Sequence, residues 1–226
     1  MAFVIAIDGP AGTGKGTVAK IIAKDLGFVY IDTGAMYRCV ALEALRRNIQ
    51  PIECDEIVQM LETIEIELKR NGEAQEVWLN GEDVSTEIRT SIIDAHVDKF
   101  SALKCVRSKM TPLQRKIGEC RDIIIEGRDC GTVIFPNANV KIYLDCSIEE
   151  RANRRYKQYL EKGIEANYEE VLENIKQRYK AETQREIAPL KKADDAILVN
   201  STNLTIEEVV AQIEKIIKDK IKFFQA

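Results

Sequence analysis

An α/β fold built on a parallel sheet follows from three features of the sequence. Short apolar runs recur at 3–8, 29–32, 123–126, 140–145 and 196–199. Segments of helical period separate them. Directly behind the first run stands Gly9-Pro10-Ala11-Gly12-Thr13-Gly14-Lys15-Gly16-Thr17, a phosphate-binding loop in the strand–loop–helix setting that such a loop requires. Strands buried on both faces read as continuous apolar runs and alternate with the helices that cover them.

Taken in order, the glycines of this loop let the backbone turn tightly enough for several N–H groups to face one anion, and Lys15 then reaches the outer phosphates of a nucleotide. The helix expected over 15–24 adds its positive N-terminal dipole at the same spot. Where the common motif carries Ser or Thr after the lysine, this chain has Gly16, with Thr17 next. Magnesium is therefore expected on nucleotide phosphates and water, with no protein ligand assigned, in keeping with its reluctance to shed its hydration shell.

After the second run comes Asp32-Thr33-Gly34-Ala35-Met36-Tyr37-Arg38, and after the third Glu126-Gly127-Arg128-Asp129-Cys130-Gly131-Thr132. Residues just beyond the carboxyl ends of parallel strands face the ligand crevice. Either segment alone would also suit a polar turn; together with the phosphate loop they point to a site. Over 64–84, Ile64, Ile66 and Leu68 alternate with polar residues, and Asn71-Gly72 and Asn80-Gly81 are hairpin turn signals. A small antiparallel insertion is expected there, with Trp78 used for packing.

Arg151, Arg154 and Arg155 follow the fourth run, with Arg178 and Arg185 further on. Guanidinium forks bind phosphate oxygens bidentately, and phosphoryl transfer needs charge stabilisation spread over donor, transferred group and acceptor. For Arg151 and Arg154, exposed pairing with Glu149, Glu150 or Glu161 is an equal alternative. The charge-rich segment 148–180, interrupted by Gly163, reads as a solvated flap. Thr205-Ile206-Glu207-Glu208 is a capping box, and Ile206, Val209, Val210, Ile213, Ile216 and Ile217 recur at helical spacing, so a terminal helix should pack on the sheet.

With 226 residues, 45% hydrophobic and 31% charged, the chain suffices for one large domain with insertions. Six cysteines without CxxC spacing and the single histidine, His96, argue against zinc and against a disulfide framework. A net charge of −4 argues against a nucleic-acid polymer as partner. No apolar run approaches the roughly 20 residues that span a bilayer. A cytoplasmic monomer with small-molecule partners is expected, since the first apolar run leads into the glycine loop and not into a signal-peptide cleavage site.

These residues together resemble the bacterial cytidylate kinase family over nearly the whole chain. The resemblance is carried by GPAGTGKGT, DTGAMYR, GEDVSTEIRT, EGRDCGTVIFP, KIYLDCSIEERANRR and REIAPL; DTGAMYR with GRDCGTVIFP is its specific part. It implies a single P-loop kinase domain with a core over 1–37, 117–147 and 181–226, a nucleoside-monophosphate-binding insertion over 38–116 and a helical lid over 148–180. The implied reaction is ATP- and Mg2+-dependent phosphorylation of CMP and dCMP. Lys15 and the loop 9–17 would hold ATP; Asp32, Thr33, Tyr37 and Arg38 match the acceptor motif, with Arg38 on the CMP phosphate. Arg107 and Asp129 match the pair that reads cytosine, and Arg128, Arg155, Arg178 and Arg185 the phosphate-clamping arginines. Glu126 occupies the acidic position near the magnesium water shell.

Three positions depart from the family pattern. Asp98 stands where a serine usually contacts the base, Tyr179 follows Arg178 where an aspartate is usual, and Glu182-Thr183 replaces Asp-Ser near the ribose. The chemistry agrees with the resemblance on separate grounds. An acceptor phosphate is already anionic, so a histidine-poor chain needs no general base. Cytosine offers an amino donor that a carboxylate accepts, whereas uracil presents a carbonyl there, a mismatch worth on the order of 2 to 4 kcal/mol when buried. Two other classes stay open from the residues: a kinase of a small hydroxyl compound, and a nucleotide-hydrolysing switch. Against the switch, the guanine-reading Asn-Lys-x-Asp is missing, its nearest approach being Lys191-Lys192-Ala193-Asp194.

Overall fold

Side chains alternate across a strand, so a strand covered on both faces must be apolar at every position. The first run, VIAID, meets that condition up to Asp8 at its carboxyl end and forms the middle of the main sheet. In a computed structural model, which describes residues 2–71, 74–119 and 121–225, the chain begins with β1 (Val4–Asp8), α1 (Lys15–Leu26), β2 (Val29–Asp32), α2 (Thr33–Arg46) and α3 (Asp55–Thr63). An antiparallel trio follows, β3 (Ile66–Asn71), β4 (Ala74–Leu79) and β5 (Glu82–Asp83), and then α4 (Ser91–Ser101) and α5 (Lys104–Gly118). β6 (Ile123–Gly127), β7 (Val140–Asp145), α6 (Ile148–Glu161), α7 (Tyr168–Gln184), β8 (Ile197–Asn200) and α8 (Ile206–Gln225) complete it.

The main sheet runs β2-β6-β1-β7-β8, all parallel, with Val4 opposite Ile123 and Ile5 opposite Val140. Ile5, Ile7, Ile142 and Leu144 pack with Val18 and Ile22 of α1 and with Val209, Ile213 and Ile217 of α8. The alternate residues Val4, Ala6, Ile123 and Ile125 pack on the other face with Ile134. Because β6 lies between β1 and β2 while β7 lies on the far side of β1, successive connections diverge at β1, the topology that opens a crevice at the strands' carboxyl ends.

A second core ties the antiparallel trio to α2–α5 through Met36, Val40, Ile57, Met60, Leu79, Ile88, Phe100 and Met110. The Asn80-Gly81 signal is a tight turn with φ of 49° and 84°, the left-handed pair a two-residue hairpin demands. Gly72, of the Asn71-Gly72 signal, lies outside the described residues. Trp78 is a packing residue, its Nε1–H donating to Glu76 at 3.0 Å and Lys69 Nζ lying 3.8 Å from its ring centre.

Segment 148–180 is a helical hairpin. Gly163, at φ 69°, ends α6: its N–H donates to the Leu160 carbonyl and that of Ile164 to Tyr159, both at 2.9 Å. Asn167 caps α7, which continues past 180 to Gln184. The capping box of α8 is reciprocal, Thr205 N–H to Glu208 Oε2 at 2.8 Å and Glu208 N–H to Thr205 Oγ1 at 3.3 Å. Among the described residues no helix is long and apolar enough to cross a membrane, and Cys39, Cys54, Cys105, Cys130 and Cys146 are free thiols; Cys120 lies outside them.

Ile142, buried between the sheet and both α1 and α8, is the place to probe the main core. Ile142→Ala is expected to cost about 2 to 5 kcal/mol. Urea unfolding checks it: the midpoint should fall with an unchanged slope.

Candidate active site

The phosphate loop is wedged between β7 and α6. Gly9 has φ 152°, and a Cβ there would lie 2.0 Å from the Leu144 carbonyl oxygen, so no other residue fits. Gly12 and Gly14 take left-handed φ of 85° and 89°. The Lys15 ammonium folds back under the loop and donates to the Pro10 carbonyl at 2.7 Å, which also accepts from Thr13 Oγ1 at 3.2 Å. Burial, with the Arg128 guanidinium nearby, pulls the Lys15 ammonium down to about 8. Gly16 and Thr17 open α1, and Thr17 is exposed to the cleft. Arg154 makes the glutamate pair expected of it and also ties α6 to the phosphate loop. It pairs with Glu150 at 2.8 Å, and its two terminal nitrogens donate to the Thr13 carbonyl at 3.0 Å and the Ser201 carbonyl at 2.8 Å. Arg151 is no exposed helix arginine: it is buried, its guanidinium 4.8 Å from the Tyr179 ring centre.

The next two strand ends meet beside the loop. Asp32 caps α2 by accepting the Ala35 N–H at 2.9 Å, and its other oxygen accepts from Arg89 at 3.2 Å. Thr33 Oγ1 donates to the Glu126 carbonyl at 2.8 Å; a Cβ on Gly127 would come within 2.4 Å of that hydroxyl. Glu126 accepts from the Tyr30 hydroxyl at 3.2 Å, and burial, reinforced by Asp32, raises its pKa. After β6 the chain makes a single π-helical turn, Cys130–Ile134. Asp8 at the end of β1 accepts the Cys130 N–H at 2.8 Å and the Gly131 N–H at 2.7 Å, and burial lifts its carboxyl to about 6.

Carboxylates sort the arginines into groups. Arg107 and Asp129 form a buried ion pair, joined by Arg185 at 3.7 Å, with the Tyr37 ring centre 5.3 Å from the Arg107 guanidinium. Glu182 accepts from Arg128 at 2.9 Å and from Arg178 at 3.2 Å, and Arg178 reaches Asp98 at 2.8 Å. Asp98 thus points at an arginine of the site. Asp94 bridges Arg38 and Arg155, the latter at 2.6 Å. Burial raises the Asp98 carboxyl against the pull of Arg178; at Asp94 the two guanidiniums outweigh burial and lower it.

Two clefts result. Asp32, Thr33, Tyr37 and Arg38, with Asp98, Arg107, Arg128, Asp129, Arg178, Glu182 and Arg185, line the first, whereas Asp94 lines the second. The loop from Ala11 to Thr17 lines the second together with Arg155, while Gly9 and Pro10 lie beneath it. Asp32, Arg38, Arg89, Glu126, Arg128 and Arg178 line both clefts and form the wall where they join. Sequence reasoning did not single out Arg89, Asp94 or Asp8. Arg89 lay inside a quoted motif and Asp8 directly before the loop; Asp94 had no local signal. Nor did it assign Leu204–Ile206 to the second cleft, which they line beside Val209.

Burial alone would raise Glu182, but Arg128 and Arg178 outweigh it and hold its carboxyl at about 2. A depressed carboxylate contributes stability above its unfolded pKa near 4.5 and loses it as pH falls through the folded value. Glu182→Gln should therefore cost about 2 to 3 kcal/mol at pH 7. Urea unfolding at pH 7, 4.5 and 3 should show the deficit narrowing as pH falls below 4.5.

A family model described as cytidylate kinase matches residues 5–219. A cytidylate kinase of Fusobacterium nucleatum is 48% identical over 219 residues, 97% of this chain and 98% of that protein. One of Bacillus subtilis is 43% identical over 216 residues, 96% of each. Among solved structures, an uncharacterized protein from Eubacterium ventriosum aligns at a TM-score of 0.55 and 13% identity, covering 97% of this chain and 99% of that one. A shikimate kinase from Bacteroides thetaiotaomicron aligns at 0.50 and 13%, covering 96% and 98%; identities this low speak for the fold alone. The family model over residues 5–219 and relatives 43 and 48% identical over almost the full length leave one conclusion: the chain belongs to the cytidylate kinase family.

Proposed function

We propose that the chain transfers the γ-phosphoryl group of ATP to CMP and dCMP, in line and with magnesium. The observation that carries this is the shared wall: Arg38, Arg89, Arg128 and Arg178 border both the loop cleft and the acceptor cleft. A triphosphate on the glycine loop and a monophosphate in the first cleft would meet there. The guanidiniums then stabilise charge as it spreads over the transferred group, and Lys15 does so from the donor side. No general base is needed, because the attacking oxygen is already anionic. His96 lines neither cleft; its Nδ1 sits 2.8 Å from the Ile92 carbonyl.

The donor phosphates fit the loop, since Gly12 and Gly14 hold the left-handed conformations from which a backbone anion nest is built. Magnesium fits the oxygen donors there: burial, reinforced by the neighbouring Asp32 carboxylate, raises the cost of ionising Glu126, and Thr17 offers an exposed hydroxyl. Among the described residues no group of three His, Cys, Asp or Glu side chains converges, so these residues would hold the ion mainly through phosphates and water. Bound there, it would neutralise phosphate charge. Asp129 and Arg107, at the closed end of the acceptor cleft, would read the cytosine amino group and ring acceptors. Glu182 would face the ribose, and Asp98 would accept from the base or hold Arg178. In this arrangement 38–116 is the acceptor-binding insertion and 148–180 the lid that brings Arg155 and Arg178. We place this activity in a cytoplasmic monomer acting on small nucleotides, a reading that size-exclusion chromatography tests for the oligomeric state.

ADP release from ATP and magnesium, compared with CMP, dCMP, UMP, AMP and no acceptor, tests the reading. Strong stimulation by CMP and dCMP is expected, with kcat/KM for UMP lower by about thirtyfold or more. Turnover independent of acceptor would overturn it. Arg178→Ala should lower kcat by about a hundredfold with unchanged far-UV circular dichroism; a fully active variant would remove Arg178 from the transfer step.

A further inference from the structure

We infer that Asp8 is a positioning residue for acceptor selectivity, holding the turn that carries Arg128 and Asp129 through two backbone hydrogen bonds from the end of β1. The inference rests on the proposed assignment of Asp129 and Arg107 to the base. Asp8 lines neither cleft and so acts through other residues.

A carboxylate this buried, 5% exposed, needs full hydrogen bonding to be tolerated. Both oxygens of Asp8 are spent on consecutive N–H groups, Cys130 at 2.8 Å and Gly131 at 2.7 Å. These are the first donors of the π-helical turn, which no helical partner satisfies. Further on, the turn closes on the Asp129 carbonyl, which accepts from Val133 at 2.9 Å and Ile134 at 3.1 Å. Asp129 itself has φ −144° and ψ 22°, outside helical geometry. A peptide is planar, so fixing the N–H of Cys130 fixes the plane that begins at the Asp129 α-carbon. That plane anchors the Asp129 α-carbon, from which the carboxylate reaches Arg107.

Two glycines make the contact possible. A Cβ on Gly131 would meet Asp8 Oδ2 at 3.4 Å, an ordinary contact, but would press on the Lys141 stem at 3.2 Å, so the turn is held closely between Asp8 and Lys141. Gly9, next in the chain, is pinned on the other side by the Leu144 carbonyl. The dipeptide Asp8-Gly9 thereby joins the start of the phosphate loop to the base-reading turn. An asparagine of the same shape offers one acceptor and turns an amide N–H₂ toward the other backbone N–H, leaving two buried donors facing each other.

The test is steady-state kinetics of the full chain with CMP and with UMP, for wild type, Asp8→Asn and Gly131→Ala, each checked for folding by urea unfolding. Asp8→Asn should raise KM for CMP and lower the CMP-to-UMP ratio of kcat/KM, each by about tenfold. KM for ATP should stay within about threefold of wild type. Gly131→Ala, which keeps the carboxylate and shifts the turn by crowding it against the Lys141 stem, should change the same ratio by about threefold, and decides the matter if Asp8→Asn does not fold. A wild type that prefers CMP, with folded variants that keep its ratio, overturns the role of Asp8 alone. A wild type that uses UMP and CMP equally overturns the base assignment, and this inference with it.

Discussion

Guanidiniums crowded at the end of one sheet repel one another unless each is matched, and this matching organises the molecule. Arg38 and Arg155 share Asp94, Arg107 and Arg185 share Asp129, and Arg128 and Arg178 share Glu182. The carboxylates come from different parts of the chain: Asp94 from α4, Asp129 from the turn after β6, Glu182 from α7. A buried ion pair tolerates little error, because the desolvation of both ions is offset only by good geometry. The two cores must therefore hold α2, α4 and α7 in register with the main sheet, and the second hydrophobic cluster does so for α2 and α4.

The same array suits phosphoryl transfer. A site that works by positioning and electrostatics needs fixed positive charge in a water-poor cleft more than it needs a titrating base. Carboxylates that neutralise the arginines also orient them. Glycine supplies the remaining precision: at Gly9 and Gly127 a single methyl group would collide with the neighbouring strand or the Thr33 hydroxyl.

Much of this was legible along the chain because it is local. The five strands of the main sheet lie within one residue of their apolar runs at either end; for the inner strands, burial on both faces leaves an unbroken signature. The Asn80-Gly81 turn, the Gly163 stop and the reciprocal Thr205–Glu208 cap follow from backbone rules that span a few residues. What was missed depends on distant partners. Arg154 reaches Thr13 across 141 positions, Asp8 reaches Cys130 across 122, and Arg155 reaches Asp94 across 61. No window of sequence holds both members of such a pair, and Asp94 on its own resembles any polar residue of a wet helix face.

The sequence by itself determined the strands of the main sheet, the phosphate loop, the family and most of the arginines and carboxylates gathered for the site, Arg89, Asp94 and Asp8 excepted. Residue type, spacing and hydrophobic period carry that information without reference to the rest of the chain. Only the tertiary structure decided which carboxylate neutralises which arginine, that Arg151 is buried, and that Asp8 joins the phosphate loop to the turn bearing Asp129. Those outcomes are set by strand order and by the docking of α4, α6 and α7, which bring together groups that the chain keeps far apart.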